Sequence, residues 1–354
     1  MAYTRFDSNE DVILGNVVNG VTSTLFSGGA SSLTAFHTSS TQTASVGGAY
    51  QFEVYNANPA SDNDAEVQFS IAYGHFRGSG SVRQNGASVG NSPTKAVYSQ
   101  FRNLLLDDPT DGTAFVDAEG NGHGRMYFMT MNRSRFKQGV NPGNWELHLS
   151  SSAGHYTTSI LQLIDDSTVS DGSTVNGHLV YNIVSGSETN GVFNDGSGNT
   201  HYWGLFYPEL GILAFAGNKM VSTTGPQSSP GLQLGFSDSA NANDNMPAKL
   251  YNAINRGKYF AIRAQEDVAS THYFVRVKNS QYNYSTNHSY QRTGSNGNIN
   301  GQLLHNSFIQ NPQTFITTVG LYNDFNELLA VAKLSKPLLK NFERETTIRI
   351  KLDH

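Results

Sequence analysis

From Gln313 to its end the chain runs in period two, and that spacing admits little besides antiparallel β-structure. Ile316, Thr318, Gly320 and Tyr322 fall on one face of an extended segment, and Phe315, Thr317, Val319 and Leu321 on the other. Asn323-Asp324-Phe325-Asn326-Glu327 turns the chain. Leu328, Ala330, Ala332 and Leu334 then face one way, and Leu329, Val331, Lys333 and Ser335 the other, until Pro337 is expected to end the strand. A last run sets Ile348, Ile350 and Leu352 against Thr347, Arg349, Lys351 and Asp353. The pattern predicts a three-strand meander. Its first strand, apolar on both faces, is expected to be central and covered. Its last has a basic outer face that blunts an edge or meets an acidic partner.

Short strand-like runs recur upstream. Val67–Tyr73, Arg125–Met131, Trp145–Leu149, Tyr156–Ile164, His178–Val184, His201–Tyr207, Gly211–Ala216, Tyr259–Ala264 and His272–Lys278 are separated by turn signals such as Pro142-Gly143, Asp171-Gly172 and Pro208-Glu209. Two helices stand out. Ser92 is a cap and Pro93 a first helical residue before Ala96, Val97, Phe101, Leu104 and Leu105. Asn245 is a cap candidate before a helix carrying Leu250, Tyr251 and Ile254. The fold class predicted is mainly β, an antiparallel β-sandwich or meander with two or three short helices. Residues 1–60, thin in apolar content, form an extended arm. Residues 61–260 form a β-rich body with helices near 93–106 and 247–256. Residues 261–354 form the C-terminal β-meander module.

Composition narrows the function classes. Charged residues make up 14% of the chain, against roughly 25% in an ordinary globular protein, and the net charge is −5. No basic stripe exists, so no nucleic-acid partner is expected. No apolar run reaches membrane-spanning length, so no membrane insertion is expected. The N-terminal stretch has no basic segment leading into an apolar one, so no signal peptide is read. The chain has no cysteine, which excludes disulfides and thiolate metal sites. No repeat and no sustained heptad is present.

Candidate chemistry is thin. Gly86-Ala87-Ser88-Val89-Gly90 matches the nucleophile-elbow pattern, but Gln84-Asn85 ahead of it is no buried strand, and a loop is the better reading. Glu146, His148 and His155 lack the spacing of a metal site. Asp62-Asn63-Asp64, Asp107-Asp108 with Asp111, and Asp165-Asp166 read as turns rather than calcium loops. Gly120-Asn121-Gly122-His123-Gly124 reads as a hairpin turn. Tyr202-Trp203, Tyr282 and Tyr284 are candidates for stacking on sugars, although core and interface use is commoner. No catalytic, cofactor or metal residue is assigned, and no cofactor is expected.

The segments VGLYND (Val319–Asp324), ELLAVAKLSKPL (Glu327–Leu338) and IRIKLD (Ile348–Asp353) resemble the C-termini of virion structural proteins of large contractile-tailed bacteriophages, cyanophages included. SPTKAVYSQFRNLLL (Ser92–Leu106), NPGNWELHLS (Asn141–Ser150) and THYFVRVKNSQYNYSTN (Thr271–Asn287) resemble the same family, so the likeness runs from about residue 66 to the end. Members of that family often end in an aromatic residue, whereas this chain ends in His354. The resemblance implies a non-enzymatic tail or baseplate component. It would be made in the host cytoplasm, reside in the virion, and pair with other virion proteins and with copies of itself. The residues expected at the assembly interface are Val319, Leu321, Tyr322, Leu329 and Val331, with Ile348, Arg349, Ile350 and Lys351. The alternatives are a capsid or neck decoration protein, a carbohydrate-binding fibre or adhesin module and, behind these, a hydrolase.

Overall fold

A computed structural model describes residues 6–7, 10–39, 50–80, 92–108, 114–225, 230–235 and 245–353. The strands are β1 (Val12–Thr24), β2 (Ser32–Leu33), β3 (Gln51–Tyr55), β4 (Val67–His75), β5 (Phe115–Val116), β6 (Gly122–His123), β7 (Arg125–Met131), β8 (Gly139–Leu149), β9 (Leu161–Asp165) and β10 (Ser173–Val175). They continue as β11 (His178–Ser187), β12 (Gly191–Val192), β13 (Tyr202–Tyr207), β14 (Ile212–Ala216), β15 (Phe260–Val277), β16 (Gln291–Thr293), β17 (Ile299–Leu303), β18 (Thr314–Tyr322), β19 (Leu328–Lys340) and β20 (Thr346–Asp353). The helices are α1 (Pro93–Leu105), α2 (Gly217–Val221), α3 (Met246–Gly257) and α4 (Ser307–Gln310). The fold is mainly β and antiparallel, with four α-helices among the described residues rather than two or three. It divides into a body, Val21–Glu266, and a second unit in which Met1–Gly20 joins Asp267–His354.

In the body the strand order is β15-β8-β9-β11-β13-β14-β7-β4-β3. The sheet folds over on itself: Phe260 on β15 lies edge-on to Phe69 on β4, with ring centroids 5.4 Å apart. Alternate residues of the strands therefore face one another across a single interior. Phe69, Tyr73, Trp145, Leu147, Trp203, Phe206 and Ile262 fill it, and Leu250, Ala253 and Ile254 of α3 close it. Leu25, Phe26, Leu33 and Phe36, expected in an arm, belong to this core. The opposite side of the sheet carries a smaller core of Tyr98 and Leu105 from α1 with Phe115, Met126, Phe128 and Tyr207.

Helix α1 starts as its sequence predicts: the Ser92 hydroxyl accepts from the Thr94 N–H, and Pro93 opens the helix. It lies so close to β4 that a Cβ on Gly74 would sit 2.8 Å from the Tyr98 Cα. Backbone cannot yield there, so Gly74→Ala is expected to destabilise the body by about 1–3 kcal/mol, read as a lower urea midpoint at unchanged slope. Helix α3 differs from expectation, because the Asn245 side chain makes no cap hydrogen bond and its backbone is left-handed at φ 41°.

One turn signal is not a turn. Pro142-Gly143 lies inside β8. Ile262 pairs with Trp145 while Ala264 pairs with Val140, so residues 141–144 bulge opposite Arg263. The Gly143 N–H donates to the buried Asp165 carboxylate at 2.8 and 3.0 Å, which holds the bulge. Likewise Tyr259–Ala264 and His272–Lys278, read as two strands, are parts of β15, 18 residues long.

In the second unit β15 continues as Asp267–Val277 and pairs with β20 over eight positions, from Ser270 opposite Asp353 to Val277 opposite Thr346. The expected meander is therefore broken. Among the described residues β18 and β19 pair with each other alone, while β20 leaves them for β15. β18 is an outer strand of a two-stranded sheet, not a central covered one, and Phe315 is 61% exposed. Pro337 does not end β19. Ile316 faces Leu338 and Thr318 faces Lys333, so residues 334–337 bulge out opposite Thr317, where a missing N–H costs the ladder nothing.

Candidate functional site: the C-terminal hairpin

The hairpin is built from its turn outward. The Asn323 Oδ1 accepts from the N–H groups of Phe325 and Glu327 at 3.0 and 2.8 Å, and Asn326 takes a left-handed backbone, φ 61°. At its base Lys340 is fully buried. Its Nζ donates to the Asn279 carbonyl, the Asn283 Oδ1 and the Asn341 carbonyl at 2.8–2.9 Å, so all three of its donors are used. Burial lowers the Lys340 pKa from its ordinary value. Thr314, first in β18, donates to the Tyr282 carbonyl. The loop 279–283 thus grips both strands at one end. No pattern at Lys340 signals this; the local sequence reads only as alternation.

The two sides of the hairpin differ. Val319, Leu321, Ala330 and Ala332 are half-buried and face Tyr273, Val275, Ile350 and Leu352 of β15 and β20 across a cavity of about 240 Å³. The other side and the tip lie open: Phe325 is 86% exposed, Leu329 62% and Tyr322 58%. Leu329 is the extra residue of a second bulge, since Leu321 pairs with Ala330 and Tyr322 with Leu328.

The nine residues expected at an interface therefore separate into groups. Val319, Leu321, Val331, Ile350 and Lys351 line the cavity. Tyr322 and Leu329 belong to the open side, and Val331 is also largely exposed. Ile348 is buried opposite Val275. Arg349 lies on the far face of β20, its guanidinium over the Phe274 ring and 3.4 Å from His272, while Lys351 pairs with Asp353 at 2.8 Å.

The other candidates resolve into structure. Ser88 and Asp111 lie outside the described residues. Glu146 and His148 pair with each other at 2.5 Å. Among the described residues no group of three or more His, Asp and Glu is placed to hold a metal ion. The Asp62 carboxylate caps its own turn by accepting from the Asp64 N–H. Asp165 holds the β8 bulge, its pKa raised by burial against its hydrogen bonds. Asp166 binds the Asn182 amide. Trp203 is no sugar platform: it is buried and donates to Ser185. Tyr282 stacks near Phe6 and Tyr284 edge-on to Tyr290.

One buried charged cluster escapes sequence reading. Asp117, past β5, accepts from His123 Nε2 at 2.9 Å and from Lys219 Nζ at 2.5 Å. Lys219 also reaches Glu119 and the Tyr202 carbonyl. Burial works to raise the Asp117 pKa, but Lys219, the Asn121 N–H and His123 outweigh it and hold the carboxyl at about 2. Burial lowers the His123 pKa against the pull of Asp117. Apart from the His123 Nδ1, and the Glu119 Oε1 that meets Lys219 only as an ion pair at 3.4 Å, the polar groups are spent on another member or on backbone, which marks the cluster as a structural clamp tying the β5–β6 turn to α2. A polar cavity of about 450 Å³ lies by Arg77, Ser79, Gly124 and Asn218.

No protein-family model matches the chain, and neither a curated protein nor a solved structure matches it.

Proposed function

We propose that the chain is a non-enzymatic structural component of a tailed-phage virion, of the tail or baseplate, and that the C-terminal hairpin is its assembly surface. The observation that carries this is the apolar exposure along one two-stranded element: Phe315, Tyr322, Phe325, Leu328, Leu329 and Val331 all stand in water. Isolated hairpins are marginal by themselves, and apolar side chains exposed together on one element mark interaction sites. A strand pair gripped at its base by Lys340 and open along its length is suited to β-strand addition and to burying aromatic anchors in a neighbour. The likeness of VGLYND, ELLAVAKLSKPL and IRIKLD to virion proteins supplies the kind of particle. The buried clamp at Asp117, whose members satisfy one another, supports a scaffold role over a catalytic one.

The test is incorporation. Replacing Phe325 and Leu329 together by Ser removes two exposed anchors without touching the buried face. Loss of such anchors at about 2 kcal/mol or more weakens assembly at least thirtyfold. Particles made with the variant are expected to lack the chain while its circular dichroism and melting stay unchanged. Normal particles from the variant, or wild-type particles without the chain, overturn the proposal.

A further inference from the structure

The two outer edges of the hairpin are not alike. The edge of β19 is guarded: it carries Lys333 and Lys336, and residues 334–337 with Pro337 bulge out of the ladder. Lysines, proline and bulges are the devices that keep a strand edge from pairing with another chain. The edge of β18 has none of them. Its nine residues, Thr-Phe-Ile-Thr-Thr-Val-Gly-Leu-Tyr, include no charge and no proline, and β19 is its sole partner among the described residues.

We propose that β18 pairs with β18 of a second copy of this chain, antiparallel about a two-fold axis perpendicular to the sheet at Thr318. This rests on the reading of the hairpin as an assembly surface and names the partner at it. An axis perpendicular to the sheet demands that each residue meet one of the same parity, and centring on Thr318 pairs all nine residues. Thr318 meets itself, Thr314 meets Tyr322, Ile316 meets Gly320, and Phe315 meets Leu321. The last two contacts are complementary. Exposed Phe315 gains an aliphatic neighbour on its own face of the sheet. Over Gly320 lie the Tyr322 ring and the Leu328 side chain, an apolar surface for Ile316 of the second copy. Val319 and Leu321 of both copies stay on one side, so the half-buried faces of the two hairpins remain aligned.

Charge fits the same arrangement. The lysines sit on β19, which becomes the outer strand on each side of a four-stranded sheet. Three strand spacings of about 4.8 Å put the two β19 strands some 14 Å apart, beyond the screening length of about 8 Å at physiological salt. Pairing through β19 instead would bring Lys333 and Lys336 of both copies together.

Absence of cysteine makes the test clean. Opposed Cα atoms in an antiparallel pair lie about 4.5–5.5 Å apart, within the range a disulfide spans. Thr318→Cys in the full chain is expected to give a disulfide-linked dimer on mild oxidation, and Ser335→Cys, on the guarded edge, is not. Analytical ultracentrifugation of the wild type should show a concentration-dependent dimer. Thr318→Glu should raise its dissociation constant at least about tenfold, because two carboxylates then face each other at the axis. Within one copy the new carboxylate lies opposite Lys333, so the hairpin itself is supported and melting should not fall.

A wild type that stays monomeric at every concentration overturns the pairing, as does a dimer indifferent to Thr318→Glu or cross-linking as efficient at Ser335→Cys. A monomer that still enters particles overturns this pairing but leaves the assembly role standing. A dimer that never enters particles does the reverse.

Discussion

Deleting residues 346–354 is expected to unfold the unit made of residues 1–20 and 267–354 while the body stays folded. β20 pairs with eight residues of β15, Ser270 to Val277, a strand that also pairs with β1, and Ile348 is buried opposite Val275. Removing it strips the β15 face of Tyr273 and Val275, and with that face goes one wall of the cavity under the hairpin. What remains of β18 and β19 is a two-stranded sheet, marginal in water without a surface to lie on. Burying one Ile side chain is worth roughly 1.5–3 kcal/mol, and β20 contributes Ile350 and Leu352 as well, so the loss exceeds what a small unit can absorb. The readouts separate the two units. Both tryptophans, Trp145 and Trp203, lie buried in the body, so the tryptophan fluorescence transition should be unchanged. Amide exchange in residues 270–277 and 314–340 should rise to near-unfolded rates, and protease should cut there first. Retained protection in β18 and β19 would show that the hairpin stands without β20. The single change Ile348→Asp should produce the same pattern through a buried unpaired carboxylate.

What the chain reveals locally and what it hides follow from the range of the interactions. Period-two alternation is written residue by residue, so β4, β7, β11, β13 and β14 lie close to where the apolar spacing places them. Ser92-Pro93 marks the start of α1 because a cap acts within one turn. Pairing is not local. Nothing in Ile348, Ile350 and Leu352 says that their partner is β15, some seventy residues back, and not the adjacent β19. The prolines mislead for a related reason. A proline without a ladder partner to serve is tolerated inside a strand, and Pro142 and Pro337 both sit where the opposite strand skips ahead. Whether a strand ends or bulges depends on that opposite strand. Lys340 and the Asp117 clamp were equally hidden, since a lysine stem reads as surface until acceptors from elsewhere in the chain, here Asn279 and Asn283, converge on it beside the neighbouring Asn341 carbonyl. At the hairpin the residues were legible and their arrangement was not. Val319 and Leu321 were placed correctly on one face, but that face is the half-buried one, and the open surface belongs to Tyr322, Phe325 and Leu329.

Lys219→Met should destabilise the body by about 3–5 kcal/mol at neutral pH, the cost of leaving one partner of a buried pair uncompensated. Asp117 would keep His123 as its only charged neighbour able to help, and His123 is itself held neutral by burial. The dependence on pH identifies the cause. In the wild type Asp117 is held at about 2, below its ordinary value of 3.8, so its contribution to stability is complete above 3.8 and is lost as pH falls toward 2. His123 acts in the same direction by a different route. Its folded pKa lies below 6.5, so below 6.5 the unfolded chain takes up the proton first and stability declines with acid. In the variant both trends weaken. Without the ammonium Asp117 is easier to protonate, and His123, no longer repelled by Lys219, is easier to charge, so acid relieves the fault instead of adding to it. The gap between wild type and Lys219→Met, measured as the difference in urea midpoints, should therefore be widest near neutrality and close progressively as pH is lowered through the carboxylate range. Asp117→Asn combined with Lys219→Met should recover part of the loss at pH 7, because it removes the stranded charge. A gap that is constant with pH, or a double variant no better than the single one, would place the effect in lost packing of the lysine stem and not in the charge it neutralises.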